Sequence, residues 1–216
     1  MKIVPMYPEP LKLKIHLEHT DINRIVLVPS DINMLQLHLV CQEAMGWNMA
    51  HLFQFSDKKM NESVRAGLPV PEDDFGFGGG VEEQKADKVK LSDFHEITSG
   101  KPFWYWYDFG DDWWHKISFQ KPTKKDLEFY KGVPICLKGE KACPPEDIGG
   151  VGGYFHFLEI MADKKNPERE EFFEWLELDE DDEFDENFFD LEYTNIFLSE
   201  LPEIELWGMT AEEFMD

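Results

Sequence analysis

Phe103-Trp-Tyr-Trp-Tyr-Asp-Phe-Gly-Asp-Asp-Trp-Trp-His-Lys-Ile-Ser-Phe119 is the stretch on which the fold hangs. Strand side chains alternate in direction, so Phe103, Tyr105 and Tyr107 share one side of a first strand and Trp104 and Trp106 the other. Both sides are bulky and apolar. Such a strand belongs in the middle of a sheet, covered on both faces or paired with aromatics across a hairpin. Asp108 to Asp112 reads as the turn: Gly110 is free to take φ > 0, and the Asp side chains can accept from nearby backbone N–H groups. The return strand sets Trp113, His115, Ile117 and Phe119 on one face and Trp114, Lys116 and Ser118 on the other, which is the wetter of the two.

Upstream of the hairpin, Leu11-Lys-Leu-Lys-Ile-His-Leu17 alternates as a half-buried strand with Leu11, Leu13, Ile15 and Leu17 inward. Arg24-Ile-Val-Leu-Val28 is a second strand, ended by Pro29. Ser30 or Asp31 can cap a helix whose apolar residues Leu35, Leu37, Val40, Cys41, Ala44 and Met45 recur at helical spacing up to Gly46. His51-Leu-Phe-Gln-Phe55 reads as a third strand. Strand, strand, helix, strand predicts a β-grasp-like or ferredoxin-like opening, with one helix covering a mixed or antiparallel sheet. Residues 57–88, with Pro69, Pro71 and the Gly76-Phe-Gly-Gly-Gly80 run, read as a long surface loop. The glycine run lacks the Lys-Ser/Thr and following helix of a phosphate loop. Val89-Lys-Leu-Ser-Asp-Phe94 then alternates briefly before the hairpin.

Downstream, Lys121, Lys124, Lys125 and Lys131 form the densest basic stretch. Cys136-Leu-Lys-Gly-Glu-Lys-Ala-Cys-Pro-Pro-Glu-Asp-Ile-Gly-Gly150 has neither helical nor strand period, so burial, an ion or a crosslink must fix it. Tyr154, Phe157, Leu158, Ile160 and Met161 mark a helix after Gly153, and Phe172, Phe173, Trp175 and Leu176 another starting near Pro167. A third, short one runs through Leu191, Ile196, Phe197, Leu198 and Leu201. The reading is one α+β domain over residues 1–200 and an acidic tail over 201–216, where Trp207 and Phe214 can dock.

Charge is distributed unevenly. Residues 1–165 hold 20 Lys+Arg and 25 Asp+Glu, net −5, and residues 166–216 hold 1 and 20, net −19, together the −24 of the chain. That balance argues against unaided binding to duplex DNA, whose affinity comes from Lys and Arg meeting phosphates. It suits a basic protein partner, or a simply solvated helical face. Three cysteines do not make a disulfide framework, and no apolar run reaches the roughly eighteen residues of a membrane span, so the expectation is a cytoplasmic protein without membrane attachment.

Tyr107-Asp-Phe-Gly-Asp-Asp-Trp-Trp-His115, Cys136 with Ala142-Cys-Pro-Pro-Glu-Asp147, Gly149 and Gly150, Tyr154-Phe-His-Phe-Leu158, Ala162-Asp163, Glu174-Trp-Leu176 and Phe189-Asp-Leu191 carry a resemblance. So do Leu27-Val-Pro-Ser-Asp31 and Ala44-Met-Gly-Trp47 with His51-Leu52. Over roughly residues 8–200, sparing 57–88, the chain resembles the family named after the third open reading frame of an Ri plasmid, whose members are also labelled transposon passenger or resolvase-like proteins. Asn23 stands where that family usually has Trp, and Phe53 where it often has a second His. The resemblance implies an α+β fold and no established activity. A serine-recombinase reading finds no support in the residues, which offer neither a basic DNA-binding region nor a Ser set among arginines.

Three site readings follow. Cys136, Cys143 and His115, with an acid from Asp108, Asp111, Glu146 or Asp147, have the donor types of a zinc site. Cys-x6-Cys is wider than a zinc knuckle, and thiols packed as small hydrophobes account for the same residues. Asp108, Asp111, Asp112 and His115 could instead form an acid/base cluster, since carboxylates crowded beside an imidazole shift one another's proton affinity. Turn chemistry and a core histidine account for those four equally. The last reading is an interaction module presenting aromatics and acidic helices. The functional expectation is a non-catalytic binding or accessory module, the alternative a zinc-dependent hydrolytic or nucleic-acid-processing enzyme using the hairpin tip and the Cys-Pro-Pro-Glu-Asp loop.

Overall fold

The computed structural model describes residues 7, 9–69, 81–178 and 184–215. In chain order the elements are β1 (Pro10–Leu17), β2 (Asn23–Pro29), α1 (Met34–Met45), β3 (Phe53–Ser56), β4 (Val64–Gly67), β5 (Glu82–Lys85), α2 (Leu91–Ile97), β6 (Phe103–Tyr107), β7 (Trp113–Gln120), α3 (Lys124–Phe129), β8 (Ile135–Glu140), α4 (Gly150–Ala162), α5 (Arg169–Trp175) and α6 (Leu191–Glu200). The fold is α+β, and its strands form one mixed sheet in the order β5-β4-β3-β6-β7-β1-β2-β8. Among the described residues only the β4–β5 pair is parallel. Among the described residues no helix is long and apolar enough to cross a membrane.

The aromatic hairpin occupies the centre, as its composition demands. Register pairs Phe103 with Ile117, Tyr105 with His115 and Tyr107 with Trp113, and all six side chains are fully buried. Burying each such ring contributes a few kcal/mol, about 3–5 on truncation to Ala. Their cover is α1, ten of whose twelve residues are buried. A helix apolar on all sides needs two covers. The sheet is one and α6 with the C-terminal turns is the other: Phe214 meets the His38 ring edge-on at 5.6 Å, and Gln36 donates to the Trp207 carbonyl. On the opposite face of the hairpin Trp106 and Trp114 stack at 4.9 Å and remain half-buried. Cross-hairpin pairing, rather than burial on both sides, thus shields that face.

Several elements differ from the sequence reading. The cap of α1 is Asn33, in a capping box with Gln36, rather than Ser30 or Asp31. Residues 57–88, expected as loop, supply β4 and β5, with Val64, Arg65 and Ala66 buried, while the Gly76–Gly80 run lies outside the described residues. Residues 91–97 are a helix, Leu91 and Phe94 pointing inward at i, i+3. Ile135–Glu140 pairs with β2 through a register shift at Ile25/Val26, which breaks the alternation that would have betrayed a strand. Helix α4 begins at Gly150, before the expected Gly153. At the sheet edge, the Asn195 side chain on α6 accepts from the Cys136 N–H at 2.7 Å and donates to the Cys136 carbonyl at 3.0 Å.

Candidate metal centre

The tip of the hairpin is held by its own aspartates. Asp108 and Asp112, not Gly110, take left-handed backbone, with φ of 51° and 60°. Asp tolerates that region because its carboxylate bonds locally: Asp108 Oδ1 accepts from Gly110 N–H at 2.9 Å, and the Asp108 carbonyl from Asp112 N–H at 2.8 Å. Asp108 N–H donates in turn to the Leu52 carbonyl at the mouth of β3. Asp112 accepts from the Trp114 indole at 2.7 Å. Asp111 Oδ2 accepts from Gly149 N–H at 3.0 Å, fastening the tip to the start of α4. There, Gly150 sits at φ 68°, and a Cβ on it would fall 2.3 Å from the Asp111 carbonyl oxygen. Only glycine permits that approach.

The Cys-Pro-Pro loop comes to the same place. Trp47 donates to the Pro144 carbonyl and stacks on Tyr107 at 5.0 Å. Glu146 accepts from Asn48 N–H at 2.8 Å and from the Tyr107 hydroxyl at 3.1 Å. His51, at the start of β3, then points its Nε2 at three carboxylates: Asp147 Oδ1 at 3.2 Å, Asp108 Oδ2 at 3.7 Å and Glu146 Oε2 at 3.7 Å. That nitrogen is buried and makes no hydrogen bond. Donor atoms of His51, Asp108 and Asp147 lie within 4.8 Å of one another, a spacing suited to one cation. Asp108 and Glu146 are largely enclosed, whereas the Asp147 side chain is 68% exposed. Burial, with Asp147 adding, raises the proton affinity of Glu146, against the pull of the Asn48, Tyr107 and His51 contacts. Burial and then Glu146 push the Tyr107 phenol up in turn.

Of the residues singled out from sequence, Asp108, Glu146 and Asp147 therefore meet. Asp111 and Asp112 sit beside them but are engaged in holding the tip. His115 lies elsewhere, fully buried under Trp47 with ring centroids 5.2 Å apart, and burial pushes its pKa down to about 3. Cys136 is in β8, its thiol pushed up to about 11 by burial. Cys143 is likewise raised by burial, and both thiols lie near the guanidinium of Arg24, which donates to the carbonyls of Ala44, Asn23 and Glu140. Among the described residues Cys136, Cys143 and His115 form no three-ligand group. The residue of this cluster that sequence reasoning passed over is His51. Its signal was its place in the family-like His51-Leu52 pair, not its pattern, which read simply as strand.

Comparison with known proteins places this architecture. The family described as plasmid pRiA4b ORF-3-like protein matches residues 9–193. The chain is 34% identical over 171 residues to the uncharacterised protein y4hQ of Sinorhizobium fredii, covering 76% of this chain and 79% of that one. It is also similar to the crystal structure of a protein of unknown function, MM3350 from Methanosarcina mazei Go1, with 32% identity, a TM-score of 0.68, and coverage of 87% and 97% of the two chains.

Proposed function

This chain belongs to the plasmid pRiA4b ORF-3-like family, and we propose that it works as a binding module organised by a divalent cation that His51, Asp108 and Asp147 hold at the hairpin tip, with Glu146 alongside. The observation that supports this is the buried, unbonded His51 Nε2 facing three carboxylates at 3.2–3.7 Å. Three carboxylates around one imidazole leave negative charge in a half-enclosed place, and only protons or a cation offset it. One nitrogen with several oxygens favours zinc or another first-row divalent ion over calcium, which prefers oxygen alone. Such an ion would tie the Cys-Pro-Pro loop to the hairpin and to β3. The partner of the module is proposed to be a basic protein: α6 turns Tyr193, Ile196 and Phe197 outward, at 60%, 53% and 38% exposure, from the acidic quarter of the chain.

Calorimetric titration of the chelator-stripped chain with Zn²⁺, Mn²⁺ and Mg²⁺ is the test. One site per chain is expected for one of the first-row ions, weakened about 100-fold in His51→Ala or Asp108→Asn, because the first removes a donor and the second the charge of another. An unmodified chain that takes up none of the three ends the proposal. A second reading, metal-dependent hydrolysis, draws on Glu146, whose raised proton affinity and bond to Tyr107 suit a general base beside the ion.

A further inference from the structure

The outer face of the sheet, turned away from α1, gathers lysines and tryptophans. Register sets His16, Lys116, Trp104 and Ser56 in one row across β1, β7, β6 and β3. Trp114 lies in the neighbouring row, edge-on to Trp104 with centroids 6.3 Å apart. The amines of Lys59 and Lys116 stand 5.8 and 5.9 Å from the Trp104 centroid, at the outer limit of a cation–π contact, so they flank the ring without clamping it. Beside Trp104 opens a groove of about 490 Å³, with Lys58, Lys101 and Lys116 and the turn residues Thr98 and Ser99 in its walls.

Charge in this groove is neutralised only in part from within. Its carboxylate, Asp57, is held by the N–H groups of Ser63 and Val64 and pairs with Lys58 at 3.4 Å. Lys59 pairs with Glu18. Among the described residues Lys101 and Lys116, both exposed, form no ion pair. Unpaired ammonium groups in one groove of a chain with net charge −24 call for an anion. The half-exposed indole beside them calls for a flat ring on the same ligand.

We propose that this groove binds single-stranded nucleic acid, with a base stacked on Trp104 and phosphates meeting Lys101 and Lys116. A single strand presents unstacked bases next to phosphates, the combination that aromatic platforms flanked by amines accept. Duplex DNA keeps its bases inside the stack and offers no free ring face to Trp104. The groove lies away from the hairpin tip, at the other end of β6, and the inference does not rest on the cation centre.

The experiment is fluorescence anisotropy of a labelled oligothymidylate with the full chain, at low salt and with chelator present. Binding that weakens as salt rises is expected, with affinity reduced about tenfold or more by Trp104→Ala and by Lys101→Glu with Lys116→Glu. Trp104→Phe, which keeps a ring, should retain most of the affinity. If Trp104→Ala does not fold, the exposed lysine variants decide the matter. The inference is overturned by absence of binding at low salt, by lysine variants that bind as the parent does, or by a duplex of equal length or anionic phospholipid vesicles bound as tightly as the single strand.

Discussion

The inner face of the hairpin and its tip use the same residue types to opposite ends. On the inner face the Tyr105 hydroxyl is shared by His38 Nδ1 at 2.7 Å and the Gln42 amide at 2.9 Å, and among the described residues no carboxylate bonds to it. Burial dominates there: it pushes His38 down to about 3, and His115 to about 3 against the pull of the Tyr105 and Trp113 backbone. Two residues further along the strand, the Tyr107 hydroxyl donates to Glu146, and the nearby imidazole of His51 faces three carboxylates. The first region is a packed floor that excludes charge. The second collects charge on a turn whose Asp108 and Asp112 take left-handed backbone. What a histidine contributes here depends on whether carboxylates can reach it, and sequence spacing does not reveal that.

The largest test of this contrast is Trp113→Ala. If the inner face is the floor on which everything rests, denaturant unfolding should show a loss of about 3–5 kcal/mol; a loss under about 1 kcal/mol would place the core elsewhere. Acid comes next. His38 and His115 bind protons near 3 in the native state against an ordinary 6.5, so below pH 6.5 the unfolded chain takes up two protons that the native chain refuses. Stability present above pH 6.5 should therefore fall as pH drops toward 3, by about 1.4 kcal/mol per pH unit for each histidine. In His115→Gln, urea midpoints measured from pH 7 to pH 5 should show half of that dependence gone. Smallest is Gly150→Ala, which forces a Cβ against the Asp111 carbonyl and should cost roughly 2 kcal/mol while weakening cation uptake. Gly152→Ala, with open space at its Cβ, should be near neutral in the same assays. Equal behaviour of the two variants would mean that the tip is not braced on α4.

Alternation made the hairpin legible, and it also placed His115 among Trp113 and Ile117, where the structure has it. The short strands β4 and β5 were not legible: four residues such as Val64-Arg-Ala-Gly67 show little period, and β5 is four polar residues that pair only because β4 is there. Strand β8 was hidden by its bulge and by Gly139. The Asn33 cap was one of several capping residues in Ser30-Asp-Ile-Asn33, and only the direction of the chain after β2 chooses among them. At the tip, Asp108, Glu146 and Asp147 announced themselves as acids in aperiodic loops. Their meeting with His51 depends on β3 pairing with β6, where Phe53 opposes Tyr107, a contact between segments more than fifty positions apart in the chain. Position along the chain carries no direct trace of such pairing.

The carboxamide of Asn195 occupies both the donor and the acceptor that Cys136 would otherwise offer to another chain. The opposite border of the sheet ends in Glu82, Glu83 and Lys85, charged side chains that discourage a ninth strand. An eight-stranded sheet blocked at one border by a side-chain plug and at the other by charge should resist strand-by-strand polymerisation. Asn195→Leu would remove the plug and free that donor and acceptor for another chain.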